Sequence, residues 1–512
     1  MCQVFRIKRC LICFFLTFSF IKVNVCAASQ VYANAEYETN LFSTPGKVYI
    51  VDSCLDLKGK EIKLADNCII KFSRGGKLTN GIVVGKNTKL VGLKKACLGV
   101  TIKGNWILPT IKDSFFDYTL LTDNEVLDNI YALQSPTIRN KIVLAKPSYK
   151  IVLTDKRKRG LQLKNNAVLE LRTTLYVVGN SLSNYTVLSA ANDNRIIGGR
   201  IVGDVGQHTY AEGTTSEWGF GIALFNCSNV RIEKVHISKC TGDGIYIGGG
   251  TVSELQDYSK GSQNVYIKNV ICDDNRRQGI SITYADGVVL DNCIFSGTGK
   301  TELTSPGCGM DIEPNKGQSV RNVVVRKCKI LNNNKVLDAS IGGYRTEGDK
   351  CSVENILLEN CEITGPLCIC TGSVTLRNCS MSTLSIHLAK MPKDKVLLSN
   401  CSITGGSGIK IRSVGTTTDD SYLPVYSFKS CTISMDEVLT KAMFSTINHK
   451  GNEVASFNLE NCNIQLPGGE QKYEMIQSNN MCSFRFVKCG FKNNGRTLDL
   501  GNRIFENCKL LK

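Results

Sequence analysis

Glu217 and Trp218, Asp243 and Tyr246, Asp274 with Arg276, Arg277 and Gln278, and Asp311 with Glu313 lie at or just before four short segments of one pattern. The segments are Gly221-Ile222-Ala223-Leu224, Gly244-Ile245-Tyr246-Ile247, Gly279-Ile280-Ser281-Ile282 and Gly309-Met310-Asp311-Ile312, and Gly408-Ile409-Lys410-Ile411 repeats it later. Side chains alternate across an extended strand. The Ile, Leu and Met residues then point inward, and Ala223, Tyr246, Ser281 and Asp311 form one outward column. Paired carboxylates can donate and accept protons across a glycosidic bond. A guanidinium can clamp a carboxylate in two places. Tyrosine beside arginine suits proton abstraction with charge stabilisation, and tryptophan offers a flat face for a sugar ring. The catalytic candidates are therefore Asp243, Tyr246, Arg277, Asp311 and Glu313. Glu217, Trp218, Asp274, Arg276 and Gln278 are candidates for holding substrate. Plainer roles stand beside these: Asp243 and Asp274 suit turns, and Arg276 and Arg277 suit local ion pairs. His208, in Gly206-Gln207-His208-Thr209, reads as an ordinary surface histidine.

Such a column needs strands stacked in register, and the chain carries a repeat that could stack them. A strand followed by a polar residue and cysteine recurs as Asn226-Cys227, Lys239-Cys240, Asn292-Cys293, Lys327-Cys328, Asn360-Cys361, Asn378-Cys379, Asn400-Cys401, Ser430-Cys431, Asn461-Cys462, Lys488-Cys489 and Asn507-Cys508. Repetition of this kind marks a solenoid. Asparagine tolerates the left-handed backbone of a corner, and coils about 4.8 Å apart would stack the amides as a ladder. The cysteines would stack inside, as small buried apolar groups rather than bridges. Zinc is set aside because Cys368-Ile369-Cys370 lacks the usual spacer and no paired histidine follows. No acidic cluster of a calcium-binding kind stands out, so no cofactor is expected, with calcium the one open possibility.

The chain has 512 residues, 42% hydrophobic, with 46 Gly and only 10 Pro. That excludes wholesale disorder and suits an architecture that grows by adding coils. Its net charge of +17 favours an anionic partner. An acidic polysaccharide fits that charge better here than nucleic acid. Residues 1–28 read as a secretory signal: Arg6, Lys8 and Arg9 precede an apolar run from Leu11 to Phe20 that is too short to span a bilayer. Lipid anchoring at Cys26 is the weaker reading, because Val25 occupies the place of a small residue. No later stretch reads as a membrane span.

Residues 40–110 hold short apolar segments separated by turns, a small β-domain or the first coils. One helix is expected near 122–134, where Thr122 and Glu125 form a capping box and Val126, Leu127, Ile130 and Leu133 share a face. It would cover the open end of the coils spanning 118–512.

The stretch from Asp123 to Ile201, with Pro147, Tyr149 and Ile197-Gly198-Gly199-Arg200-Ile201, together with the coils of 219–315, resembles the pectin-lyase-like superfamily. That resemblance implies an all-β, right-handed parallel β-helix. It implies either an enzyme that cleaves an acidic glycan, lyase or hydrolase, or a non-catalytic glycan-binding or adhesion protein. A trimeric tailspike-like depolymerase is a third, weaker possibility. The Asn-Thr-Asp and Gly-His-Gly motifs of polygalacturonases are absent.

Overall fold

The computed structural model describes residues 30–32, 42–249, 261–333, 337–342, 351–388, 394–413, 425–435, 442–447, 455–466, 473–477, 482–492, 494, 498–499 and 504–511. The expected signal at 1–28 lies outside them. Three strands make each coil. One wall contains Arg231–Glu233, Ser262–Lys268, Ala285–Asp291 and Ser319–Arg326; a second contains His236–Ser238, Ile271–Asp273, Ile294–Ser296 and Lys329–Leu331; a third contains Trp218–Phe225, Asp243–Gly248, Gln278–Ile282 and Cys308–Ile312. Within each wall, successive coils pair parallel. The inward residues Ile222, Ile245, Ile280 and Met310 stack at 0% exposure.

The corners explain the repeat. Every one of the eleven residues preceding the repeat cysteines has a positive φ, between 51° and 57°. Nine of the eleven cysteines, from Cys293 to Cys508, occupy one corner column between the first and second walls. Asn226-Cys227 and Lys239-Cys240 turn at other corners. In the earlier coils the same column holds Lys234-Val235 and Asn269-Val270, which share the left-handed backbone. A valine fills the cysteine's place, as expected if the thiol serves as an apolar group. The thiols reach the coil before: Cys361 Sγ lies 3.3 Å from Val325 O, and Cys462 Sγ 3.5 Å from Phe428 O. The amide ladder is present, with Asn292 donating to Asn269 at 2.7 Å and Asn378 to Asn360 at 3.1 Å. A second ladder, missed in the sequence, links Asn229, Asn264, Asn322 and Asn355 with Asp193 and Asp286.

Residues 48–107 form coils too. Strands Cys54–Asp56, Glu61–Lys63 and Ile69–Phe72 all pair parallel with Lys77–Val91, which pairs parallel with Leu98–Ile107. The helix Asp123–Leu133 carries both halves of its capping box. It packs at the junction, against Leu98–Ile107 on one side and Ser148–Ile151 and Arg159–Gln162 on the other. Buried Asn129 substitutes for a missing strand: its Oδ1 accepts the Ile102 N–H at 2.7 Å and its Nδ2 donates to the Val100 carbonyl at 2.8 Å. Asn129→Ala strands both backbone groups away from water. We expect a loss of about 2–6 kcal/mol, at roughly 1–3 kcal/mol per unsatisfied group, measured as a lower urea midpoint. An unchanged midpoint would show that the edge is satisfied some other way. Among the described residues, no helix is long and apolar enough to cross a membrane.

Candidate functional site

The outward column expected from the four segments is present on the third wall. Ala223, Tyr246, Ser281 and Asp311 are successive register partners, and the column continues through Ser340, Cys368, Ser385 and Lys410. The leading glycines have a steric cause. A Cβ on Gly244 would lie 2.7 Å from the Gly279 carbonyl, and one on Gly279 would lie 2.5 Å from the Gly309 carbonyl. Only glycine lets the coils close up there.

The column faces outward but is not exposed. Within it Ala223 is 0%, Ser281 2% and Asp311 3% exposed, and the neighbouring register pair Asp243 and Gln278 is 0% exposed. Gln278 Nε2 donates to Asp311 Oδ2 at 2.5 Å. Ser281 Oγ donates to Asp243 Oδ2 at 2.7 Å. Arg277 runs along the rim, its Nη1 3.3 Å from Asp243 Oδ2 and its Nε 3.5 Å from Glu217 Oε2. Glu217, Arg277 and Glu313 are half-buried, and Trp218, next in the chain after Glu217, is 47% exposed. The outer layer of the cluster thus carries a guanidinium and two carboxyl groups over a buried layer of acids and amides.

Burial decides the protonation. Desolvation pushes the Asp311 carboxyl up to about 7, and the neighbouring Glu313 charge adds to this. Arg277, Gln278 and Ser340 oppose the shift. Asp311 Oδ1 has no hydrogen-bond partner among the described residues. Burial raises Asp243 as well, against the pull of Arg277 and Ser281. The arrangement places a carboxylic acid that holds its proton near neutrality beside a second, more accessible carboxyl group, the pairing used in acid-catalysed glycoside cleavage.

Tyr246, in the same column, has neighbours of its own. Its hydroxyl meets Thr283 Oγ1 at 2.9 Å and its ring stacks on Phe220 at 4.6 Å, while burial raises the phenol. Asp274 and Arg276 turn to a corner. Asp274 accepts from the Thr301 N–H at 2.8 Å and its hydroxyl at 2.6 Å. Arg276 donates to the Thr215 carbonyl at 2.8 Å and lies 4.1 Å from the Tyr210 ring centroid. Both pin loops rather than line the wall. His208 is not a surface residue: it is 8% exposed, with Nδ1 2.8 Å from Asp204, which also accepts from Tyr185 at 2.5 Å. A short tight loop folded it inward.

Two coils beyond Asp311, stacking brings His387 over Cys368 and Cys370. The sequence reading found no histidine for that pair, because 19 residues separate His387 from Cys368. The third wall's alternation of apolar and other residues, in Leu367-Cys368-Ile369-Cys370 and Leu384-Ser385-Ile386-His387, was the signal that could have joined them.

Residues 136–317, 220–381 and 258–420 each match the family model described as right handed beta helix region. The uncharacterized protein YclG of Bacillus subtilis (strain 168) is 35% identical over 164 residues, 31% of this chain and 28% of that protein. The SPbeta prophage-derived uncharacterized protein YorA of the same organism is 29% identical over 163 residues, 30% of this chain and 28% of that one. The chain thus spans under a third of either relative's length. Among solved structures, the tailspike protein gp49 of Acinetobacter baumannii bacteriophage Fri1, a capsular polysaccharide depolymerase, superimposes with a TM-score of 0.43. It is 14% identical, over 77% of this chain and 65% of that one.

Proposed function

The chain belongs to the right-handed β-helix family, and from that premise we propose that its third wall cleaves an acidic polysaccharide by hydrolysis. One observation carries the reading: a buried Asp311 carboxyl held near pH 7 beside Glu313. Asp311 donates the proton to the leaving oxygen. Glu313 acts on the sugar's other side, as nucleophile or as base for water. Carboxyl groups about 5 Å apart retain configuration and wider pairs invert it, so the anomer first released distinguishes the two. Trp218 stacks on a sugar ring, and the exposed edge of Arg277 meets a uronate carboxylate. Asp243 is a positioning residue, fully buried and holding Arg277. The excess of 62 basic over 45 acidic residues draws in an anionic chain. Acid catalysis of this kind uses no cofactor. Residues 1–28 serve as an export signal that brings the protein to extracellular glycans.

Hydrolysis is favoured over elimination because the Tyr246 hydroxyl is turned to Thr283. The test is a screen of the purified chain on uronate and sulfated polysaccharides. We expect new reducing ends without absorbance from a C4–C5 double bond, and slower turnover as salt rises. Double-bond absorbance would replace hydrolysis with elimination. The depth of Asp311, at 3% exposure, favours one second reading, glycan binding without cleavage. Binding to a glycan array with no product from any polymer would establish that instead.

A further inference from the structure

We propose that Cys368, Cys370 and His387 form a three-ligand zinc site on the third wall. The site lies on the same wall as the Asp311 cluster, near enough for the Asp311 and Glu313 charges to act on Cys370, but it does not depend on the function proposed for that cluster. Cys368 and Cys370 stand two apart on the strand Pro366–Ile369 and the residue after it, so both point outward while Ile369, 1% exposed, points in. The next coil places Ser385 beside Cys368 and Ile386 beside Ile369, which brings His387 alongside Cys370. One ligand atom from each of the three residues lies within 4.8 Å of the others.

Two of the three ligand edges match a metal polyhedron. Zinc bonds of about 2.3 Å to sulfur and about 2.0 Å to nitrogen, at tetrahedral angles, set edges of roughly 3.8 Å between sulfurs and roughly 3.5 Å between sulfur and nitrogen. Cys368 Sγ lies 3.6 Å from Cys370 Sγ and 3.3 Å from His387 Nε2. Cys370 Sγ lies 3.9 Å from the other ring nitrogen, Nδ1, so a single ion is reached by all three once the imidazole turns to present one nitrogen to both sulfurs, which already lie within 4.8 Å of one ring nitrogen. The environment fits too. The three residues are 6%, 2% and 3% exposed, and the recess beside them, bordered by Thr371 and Asp394, admits no water-sized group. An organic ligand is excluded by that size, and a bare ion is not. These thiols also differ from the corner stack. There sulfurs meet backbone carbonyls, as Cys361 meets Val325, and one another down the column, as Cys328 meets Cys293 and Cys361. Here an imidazole joins two sulfurs that stand on one strand face. Two soft thiolates and a histidine select zinc over calcium or magnesium.

The full-length chain, reduced and stripped of metal by a chelator, is titrated with Zn²⁺ against a competing indicator and then with Co²⁺. We expect about one tight zinc per chain and a thiolate-to-cobalt charge-transfer band. Cys368→Ser, Cys370→Ser and His387→Gln should each weaken zinc by more than the roughly 10–100-fold that loss of an outer-shell partner costs. Each should also abolish or shift the cobalt band. Cys361→Ala, in the corner stack, should bind as the parent does. Far-UV circular dichroism confirms that each variant is folded. No tight zinc, or equal binding by folded Cys368→Ser, would overturn the site. So would a Cys368–Cys370 disulfide that persists in the reduced protein.

Discussion

Asp311→Asn should abolish cleavage while making the protein more stable at pH 8. Loss of a general acid costs about 10²–10⁴ in rate. The gain in stability follows from linkage. The folded-state value of Asp311, about 7, lies above its ordinary value of 3.8. As pH rises, the unfolded chain therefore releases this proton first. The folded state is fully favoured below about pH 4, loses stability between there and about pH 7, and is level above that. Asparagine never ionises, and its side-chain oxygen can still accept from Gln278. The variant should lack that decline and exceed the parent by a few kcal/mol at pH 8, with little difference at pH 4. Urea unfolding at pH 4, 6 and 8 measures this, beside reducing-end release on the polymer found in the screen. Parent activity should itself fall as pH rises through about 7, because the acid must carry its proton. If the variant keeps the parent's pH slope, the carboxyl is not protonated near neutrality and the catalytic assignment fails with it.

Arg277→Met should be among the most destabilising single changes on the wall. Asp243 is 0% exposed, and its charge is opposed by Arg277 at 3.3 Å. Removing one partner of a buried ion pair typically costs about 3–5 kcal/mol, because the other charge is left without compensation. Ser281 still donates to Asp243 but supplies no charge. Burial already raises Asp243, and loss of Arg277 raises it further. A raised carboxyl loses stability as pH rises, so the deficit should be small at pH 4 and grow toward pH 8. Adding Asp243→Asn should restore most of what Arg277→Met removed, a coupling expected of side chains in contact. A double variant as unstable as the single one would mean that Arg277 acts through Glu217, 3.5 Å away, and not through Asp243.

The corners and the column were legible because both depend on local rules. Asn360 precedes Cys361 at a position with φ of 54°, a conformation asparagine accepts. The order Gly279-Ile280-Ser281-Ile282 fixes which side chains point in, whatever lies above or below. The helix was legible for the same reason, since Thr122 and Glu125 are three residues apart. Its neighbours were not: Asn129 pairs with Val100 and Ile102 through contacts 29 and 27 residues distant. His208 was misplaced on the surface because its partner Asp204 is near in sequence but buried only by the loop's closure.

The site divides along the same line. Residue types and their alternation determined that Tyr246, Ser281 and Asp311 would share one outer column, since stacked coils preserve the facing each strand dictates. Coil length did the rest, and it is irregular: the turns between strands set how far apart in the chain two neighbours may be. Stacking therefore decided that Asp243 holds Arg277, that Asp274 and Arg276 serve loops, and that His387 meets Cys368. It also decided the charge state of Asp311, because desolvation is a property of everything packed around a carboxyl and no local pattern encodes it.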